Sequence, residues 1–179
     1  MSKKPWENYP DLWKSESAFM SFIRGGIRKA LWNRYPVKTR TIQKKRKRIP
    51  NPNPRGKVET VWGGECYLCG KDFPQKDLQV DHIVGNHSLK TMDDIQTFME
   101  GLLFITEDDL ALVCKPCHAA KSMADRQSIS FEEAKTKKKI IEMMKDKKSV
   151  DKLLTSHSLP CNNDALRKES LRKLIEEEK

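Results

Sequence analysis

Glu65-Cys-Tyr-Leu-Cys-Gly70, Leu78-Gln-Val-Asp-His-Ile-Val84 and Leu110-Ala-Leu-Val-Cys-Lys-Pro-Cys-His-Ala-Ala-Lys121 belong together. The first and third each hold a CxxC pair, separated by 44 residues, and the second, lying between them, holds Asp81-His82. Tetrahedral zinc takes four soft donors, and a CxxC pair supplies two thiolates along one edge of the tetrahedron because the intervening residues form a tight turn. Cys66, Cys69, Cys114 and Cys117 therefore complete a four-thiolate site with no position left for substrate, which makes the expected zinc structural. Gly70, just after the second cysteine, permits the positive φ that such a turn requires.

Local patterns then place the other residues on elements. Residues 78–84 are β-prone, and a second strand over 110–113 is introduced by the acidic turn Glu107-Asp108-Asp109. Thr91 to Asp94 has the capping-box pattern and opens a short helix with Ile95, Phe98 and Met99 on one face and Gly101 as its stop. From Pro116 a helix carries Cys117, His118 and Lys121. Successive helical side chains are rotated by about 100°, so if Cys117 points at zinc then His118 faces elsewhere, with Lys121 on the same face as His118. A hard cation between the Asp81 carboxylate and the His118 imidazole, completed by water and phosphate oxygens, is the arrangement this permits. Asp81 and His82 can flank one site only if their strand ends or bulges there, because consecutive strand residues face opposite ways.

The net charge of +10 is unevenly distributed: residues 1–57 hold 16 Lys/Arg against 3 Asp/Glu, whereas residues 58–179 hold 19 against 22. Within Lys38 to Lys57 there are nine basic residues and no acidic one, including Lys44-Lys45-Arg46-Lys47-Arg48 and, further on, Arg55 and Lys57. Such a segment suits a polyanion whose counterions it can release, so DNA is the expected partner; a solvated tail or a localisation signal are the other readings of the run alone. The prolines of Ile49-Pro-Asn-Pro-Asn-Pro54 cannot sustain a helix or a central strand and predict an extended linker. Upstream, Ala18, Phe19, Phe22, Ile23, Ile27, Ala30 and Leu31 form an amphipathic helical stripe after a lead-in of Trp6, Tyr9 and Trp13, with Arg24 and Arg28 one turn apart outside it. Gly25-Gly26 in that helix marks a kink, a split or a close approach, with tight packing preferred over a phosphate contact. Downstream, Ser130 caps a helix to about Lys148, and another runs from about Asp164 to Glu178; they pack on the core or on a partner.

Composition limits the alternatives. With 37% hydrophobic and 34% charged residues the apolar core is small, so a metal clip is a reasonable substitute for burial. No apolar run is long enough to span a membrane, and Met1-Ser-Lys-Lys-Pro5 does not open a secretory signal. Five cysteines, four of them in CxxC pairs, favour metal ligation in a reducing compartment over a disulfide framework. The expectation is a soluble cytoplasmic protein. Cys161 reads as a plain, partly buried thiol, and His87 and His157 as surface or loop histidines.

The strings Val80-Asp-His-Ile83 and Leu112-Val-Cys-Lys-Pro-Cys-His-Ala-Ala-Lys121 resemble the HNH, or His-Me finger, endonucleases of the branch that carries a CxxC…CxxC zinc. The resemblance covers about Glu65 to Ser122, and the whole chain looks like the small HNH proteins of bacteriophages, which implies the cytoplasm of a bacterial host. It implies a ββα-metal fold that hydrolyses DNA phosphodiester bonds, leaving 5′-phosphate and 3′-hydroxyl ends. His82 matches the general base, Asp81 the metal-binding carboxylate and His118 the second ligand of a catalytic magnesium or manganese ion. The family's middle asparagine, which orients the base, falls on Asp109, with Asp108 as an alternative register; the aspartate can still accept from imidazole, and its charge favours the imidazolium form.

The expectation is thus an α+β protein, predominantly helical: a Trp-rich helical segment over 1–37, a basic DNA-binding linker over 38–60, a zinc-bound ββα-metal core over 61–125 and a helical extension over 126–179. DNA contacts are assigned to Lys44, Lys45, Arg46, Lys47, Arg48, Arg55, Lys57 and Lys121, the last being equally readable as an ordinary exposed lysine. One active site per chain predicts nicking, with double-strand cuts needing a dimer or two visits by a monomer. The rival class is a non-catalytic zinc module that binds DNA or serves as an adaptor, for example in a packaging assembly. A transcription regulator would need a recognition helix, for which no segment is a clear candidate.

Overall fold

The computed structural model describes residues 3–53, 55, 57–85 and 88–177, so His87 lies outside the described residues. The chain divides into two compact units, Met1–Cys114 and Lys115–Lys179. Helix outweighs strand by 58% to 13%, and the strands form two small antiparallel sheets, so the protein is α+β and predominantly helical.

The first unit opens with α1 (Pro5–Asn8) and α2 (Glu16–Ala30). Ser15 caps α2 by accepting the Ala18 N–H at 3.2 Å. The expected aromatic lead-in folds back on α2: Trp13 packs edge-on to Phe19 at 5.3 Å and lies 5.0 Å from Phe22. That contact leaves Phe22 largely exposed, while Phe19, Ile23 and Ile27 join a core of Met20, Leu89, Phe98 and Leu102. The Gly25-Gly26 pair neither breaks nor splits α2, and a Cβ at either position would meet nothing within 4 Å. Both glycines lie on the exposed face, so their effect is the intrinsic cost of glycine in a helix.

Next comes α3 (Pro36–Lys45), with proline at the first helical position, where its missing N–H costs nothing. Strands β1 (Lys47–Pro50), β2 (Thr60–Glu65) and β3 (Asp72–Pro74) form an antiparallel sheet in the order β1-β2-β3. The basic run is therefore helix and strand, where the sequence predicted a linker. The reason is local: β1 is an edge strand, which tolerates Pro50, and its Ile49 is buried. The hairpin end is fixed by Asn51, whose N–H donates to the Glu59 carbonyl and whose Nδ2 donates to the Val58 carbonyl, each at 2.8 Å.

The second sheet pairs β4 (Leu78–His82) with β5 (Leu110–Cys114), matching Val80 to Leu112, Asp81 to Ala111 and His82 to Leu110. Every residue of β5 is buried. Val80, Leu110 and Leu112 form a core with Trp32, Val37, Ile42, Leu78 and Ile105. The crossover holds α4 (Ile95–Leu103), introduced by the reciprocal cap of Thr91 and Asp94. It runs two residues past Gly101, the predicted stop, because Leu102 is buried in the α2 core. Close packing of the two sheets is set by Gly64, where a Cβ would lie 2.7 Å from Leu112 Cδ1.

The second unit is helical: α5 (Lys115–Gln127), α6 (Phe131–Met143), α7 (Lys147–Ser156) and α8 (Asp164–Glu177). Ser130 caps α6 as predicted, accepting the Glu133 N–H at 3.1 Å. The single helix expected to about Lys148 is instead two, because Asp146 accepts the Ser149 N–H and caps a new helix. The turn lets Ile140, Val150, Leu154, Leu171 and Ile175 share one core, against which Cys161 packs partly buried. Arg167 closes the unit with paired bonds to Asp151 at 2.6 and 3.0 Å.

Replacing Gly25 by alanine is expected to stabilise the protein by about 1 kcal/mol, since helix propensity is gained and no neighbour is displaced. Chemical denaturation with an unchanged slope checks this; a loss of stability would mean that the glycine has a packing partner.

Candidate functional site

The two CxxC pairs come together. One ligand atom from each of Cys66, Cys69, Cys114 and Cys117 lies within 4.8 Å of the other three, the one such group of metal-ligating side chains among the described residues. The local fold explains it. Cys66 opens a tight turn in which the Gly70 N–H donates to the Cys66 carbonyl at 2.8 Å, and Gly70 has the predicted positive φ, 66°. The turn is tied to the end of β5, since Tyr67 N–H donates to the Leu112 carbonyl at 2.8 Å and Cys114 N–H to the Cys66 sulfur at 3.3 Å. Burial pushes the Cys66 thiol up, but N–H groups of Cys114, Cys69 and Leu68 favour the thiolate and lower its pKa to about 7. Four close sulfurs, three of them buried, can hold one metal ion and suit a structural zinc.

Asp81 and His82 are the last two residues of β4, paired with Ala111 and Leu110. The ladder closes just beyond them, with the Ile83 N–H donating to the Asp109 carbonyl at 2.9 Å. The His82 ring is held by parts of the chain distant from it in sequence. It stacks on the Trp32 indole, with centroids 4.6 Å apart and planes 27° from parallel. Its Nε2 lies 3.3 Å from the Leu102 carbonyl in the last turn of α4, one of the carbonyls a helix end leaves unpaired. A carbonyl only accepts, so this contact takes a proton on Nε2. Tyr35, close after Trp32, fastens the same turn through its hydroxyl, which donates to the Leu103 carbonyl.

Asp81 is half-buried and lies within the field of Arg28. Burial and Arg24 hold the Arg28 guanidinium below its ordinary pKa, and Asp81 acts in the opposite direction. Asp109, expected to orient His82, directs its carboxylate to the Thr106 N–H and hydroxyl, each at 2.8 Å. Those bonds hold its pKa below the usual carboxylate range, with His82 a smaller influence in the same direction. Asp108, the alternative register, pairs with Lys44 at 3.6 Å.

His118 and Lys121 lie on α5, both half-buried, and His157 is exposed at the end of α7. The basic run is differentiated. Lys44 pairs with Asp108, Lys45 donates to the Leu110 carbonyl, and Lys47 lies 2.8 Å from Asp72 and 3.6 Å from Glu65. Arg46 and Arg48 stack on Trp62 at 4.2 and 4.4 Å, and Arg55 and Lys57 are exposed in the loop before β2. Sequence reasoning missed Trp32, Trp62 and the Leu102 carbonyl, and it recorded Arg24 and Arg28 only as a pair one turn apart.

Comparison with models of protein families, with curated proteins and with solved structures finds no match to this chain. No helix among the described residues is long and apolar enough to cross a membrane.

Two outcomes follow from this geometry. Elemental analysis of the purified protein is expected to give one zinc per chain, and Cys66→Ser or strong chelation should unfold the β4–β5 region; full stability and native circular dichroism without metal would remove the structural role. Because the Asp109 pKa is lower folded than unfolded, its contribution is present above the unfolded value and lost as pH falls through the folded one. Stability should therefore decline less steeply in acid for Asp109→Asn than for wild type.

Proposed function

We propose that the protein is a metal-dependent endonuclease of the HNH type that hydrolyses DNA phosphodiester bonds. The observation that carries the reading is the Asp81-His82 pair at the end of β4, paired with a strand that runs through a cysteine cluster directly into the helix bearing His118. The chemistry of the donor set supports it: thiolates suit zinc, whereas a carboxylate with an imidazole suits a harder divalent ion that keeps water or phosphate oxygens. Asp81 and His118 would hold magnesium or manganese, which when bound neutralises charge on the phosphate and the departing oxygen.

The chain's own part in the reaction centres on His82. With Nε2–H donated to Leu102, the basic Nδ1 takes a proton from water. The water oxygen bonds to phosphorus as the P–O3′ bond breaks, and the 3′ oxygen gains a proton from solvent. Trp32 restricts ring rotation so that the lone pair keeps its direction, which makes it a positioning residue. Arg28, close to Asp81, is suited to an anionic substrate once a cation offsets the carboxylate.

A supercoiled-plasmid assay with magnesium or manganese tests the reading. Wild type should nick first, and His82→Ala should be slower by roughly 10²–10⁴-fold. Trp32→Ala should lower kcat by roughly 10–100-fold and change the pH profile, with Trp32→Phe recovering most of both. Equal cutting by wild type and His82→Ala would refute the assignment, and salt-dependent binding with no cleavage would favour a non-catalytic zinc module.

A further inference from the structure

We infer that Arg46, Arg48 and Trp62 form a phosphate-binding platform that seats the DNA backbone beside the strand that carries Asp81-His82. The inference rests on the proposal that DNA is the substrate and assigns its grip to two of the five cations in the run 44–48. Lys44, Lys45 and Lys47 already have acceptors within the protein: Asp108, the Leu110 carbonyl, and Asp72 with Glu65. Arg46 and Arg48 have no carboxylate partner among the described residues and stack on one indole instead. The split follows from the backbone. Alternation along β1 turns Lys47 and Arg48 to opposite faces, and the register sets Arg48 directly opposite Trp62. Arg46 is the residue at which α3 ends.

A guanidinium stacked on an aromatic ring uses its face and keeps its N–H edge, the part that matches phosphate geometry. Both guanidinium carbons lie over the same ring, so they are less than about 9 Å apart, within a Debye length at ordinary salt. Two like charges held that close without a counter-charge favour a bound anion. Trp62 remains 41% exposed, so the stack stands at the surface. Arg46 also lines a small pocket with Gln79 and Val80, the residues immediately before Asp81 in β4. The platform therefore borders the strand that carries Asp81-His82. Contacts of this kind fix register and carry no base information.

The test is fluorescence anisotropy of a labelled DNA duplex with the zinc-loaded full chain, without added magnesium or manganese, over a range of NaCl concentrations. Arg46→Gln with Arg48→Gln should weaken binding by about tenfold or more and reduce the slope of log K against log[salt] by roughly two. Trp62→Ala, which keeps both charges, should also weaken binding, and Trp62→Phe should restore most of it. Lys44→Gln with Lys47→Gln removes the same charge and should cost less. The inference is overturned if the arginine pair leaves affinity and slope unchanged, if the lysine pair costs as much, if poly-glutamate displaces the duplex as well as unlabelled DNA does, or if wild type does not bind. These outcomes separate from the nuclease reading. Weakened binding in the arginine pair with no plasmid cleavage by wild type leaves the platform standing and removes the enzyme, whereas cleavage with unaltered binding does the reverse.

Discussion

A five-residue strand with no exposed side chain, β5, is the constraint on which the first unit is built. Burying Leu110, Leu112 and Val113 is worth about 1.5–3 kcal/mol each, but only if the strand's backbone groups find partners as well. An unpaired buried group would cost about 1–3 kcal/mol. The partners come from all around. β4 supplies the ladder, Tyr67 N–H takes the Leu112 carbonyl, the Lys45 side chain takes the Leu110 carbonyl, and the Cys114 N–H goes to the Cys66 sulfur. Satisfying one strand therefore brings the basic segment, the first cysteine pair and Asp81-His82 to it at once.

The same requirement accounts for the order in the basic segment. A run of five cations would ordinarily stay solvated, because like charges repel and long side chains lose entropy when fixed. Here Ile42 and Ile49 are drawn against the two sheets, and the backbone between them is committed to a helix end and an edge strand. Once the backbone is set, each side chain meets what lies opposite it: carboxylates for Lys44 and Lys47, an indole for Arg46 and Arg48. Surface ion pairs of this kind contribute little to stability. Their importance is that they distinguish cations with internal partners from cations turned outward.

The candidate site was legible in its donors and obscure in its supports. Residue type and spacing were enough to single out the four cysteines, because few arrangements other than a metal site use two CxxC pairs. The strands bearing Asp81-His82 and Leu110 to Cys114 followed from β-prone strings between turn signals. The hydrogen-bonding role expected of Asp109 rested on its place before the second strand. Its carboxylate has a nearer donor pair in Thr106, three residues away, a local preference that the same sequence contains. Likewise Asp146 and Ser149 held the signal for a new helix, which the continuous run of helix-forming residues masked.

Sequence by itself determined the chemical inventory and most of the elements, since both depend on neighbours a few residues apart: capping pairs, alternation along strands, CxxC turns and a strongly basic N-terminal third. Tertiary structure alone decided which distant groups meet. His82 stacks on Trp32, fifty residues earlier, and approaches the carbonyl of Leu102, twenty residues later, because α2 and α4 share one core around Met20 and Phe98. Trp62 comes to lie under Arg46 and Arg48 through an edge-strand register that the prolines concealed. Such pairings arise from the burial of apolar surface by the whole unit, a non-directional force that no short stretch of chain encodes.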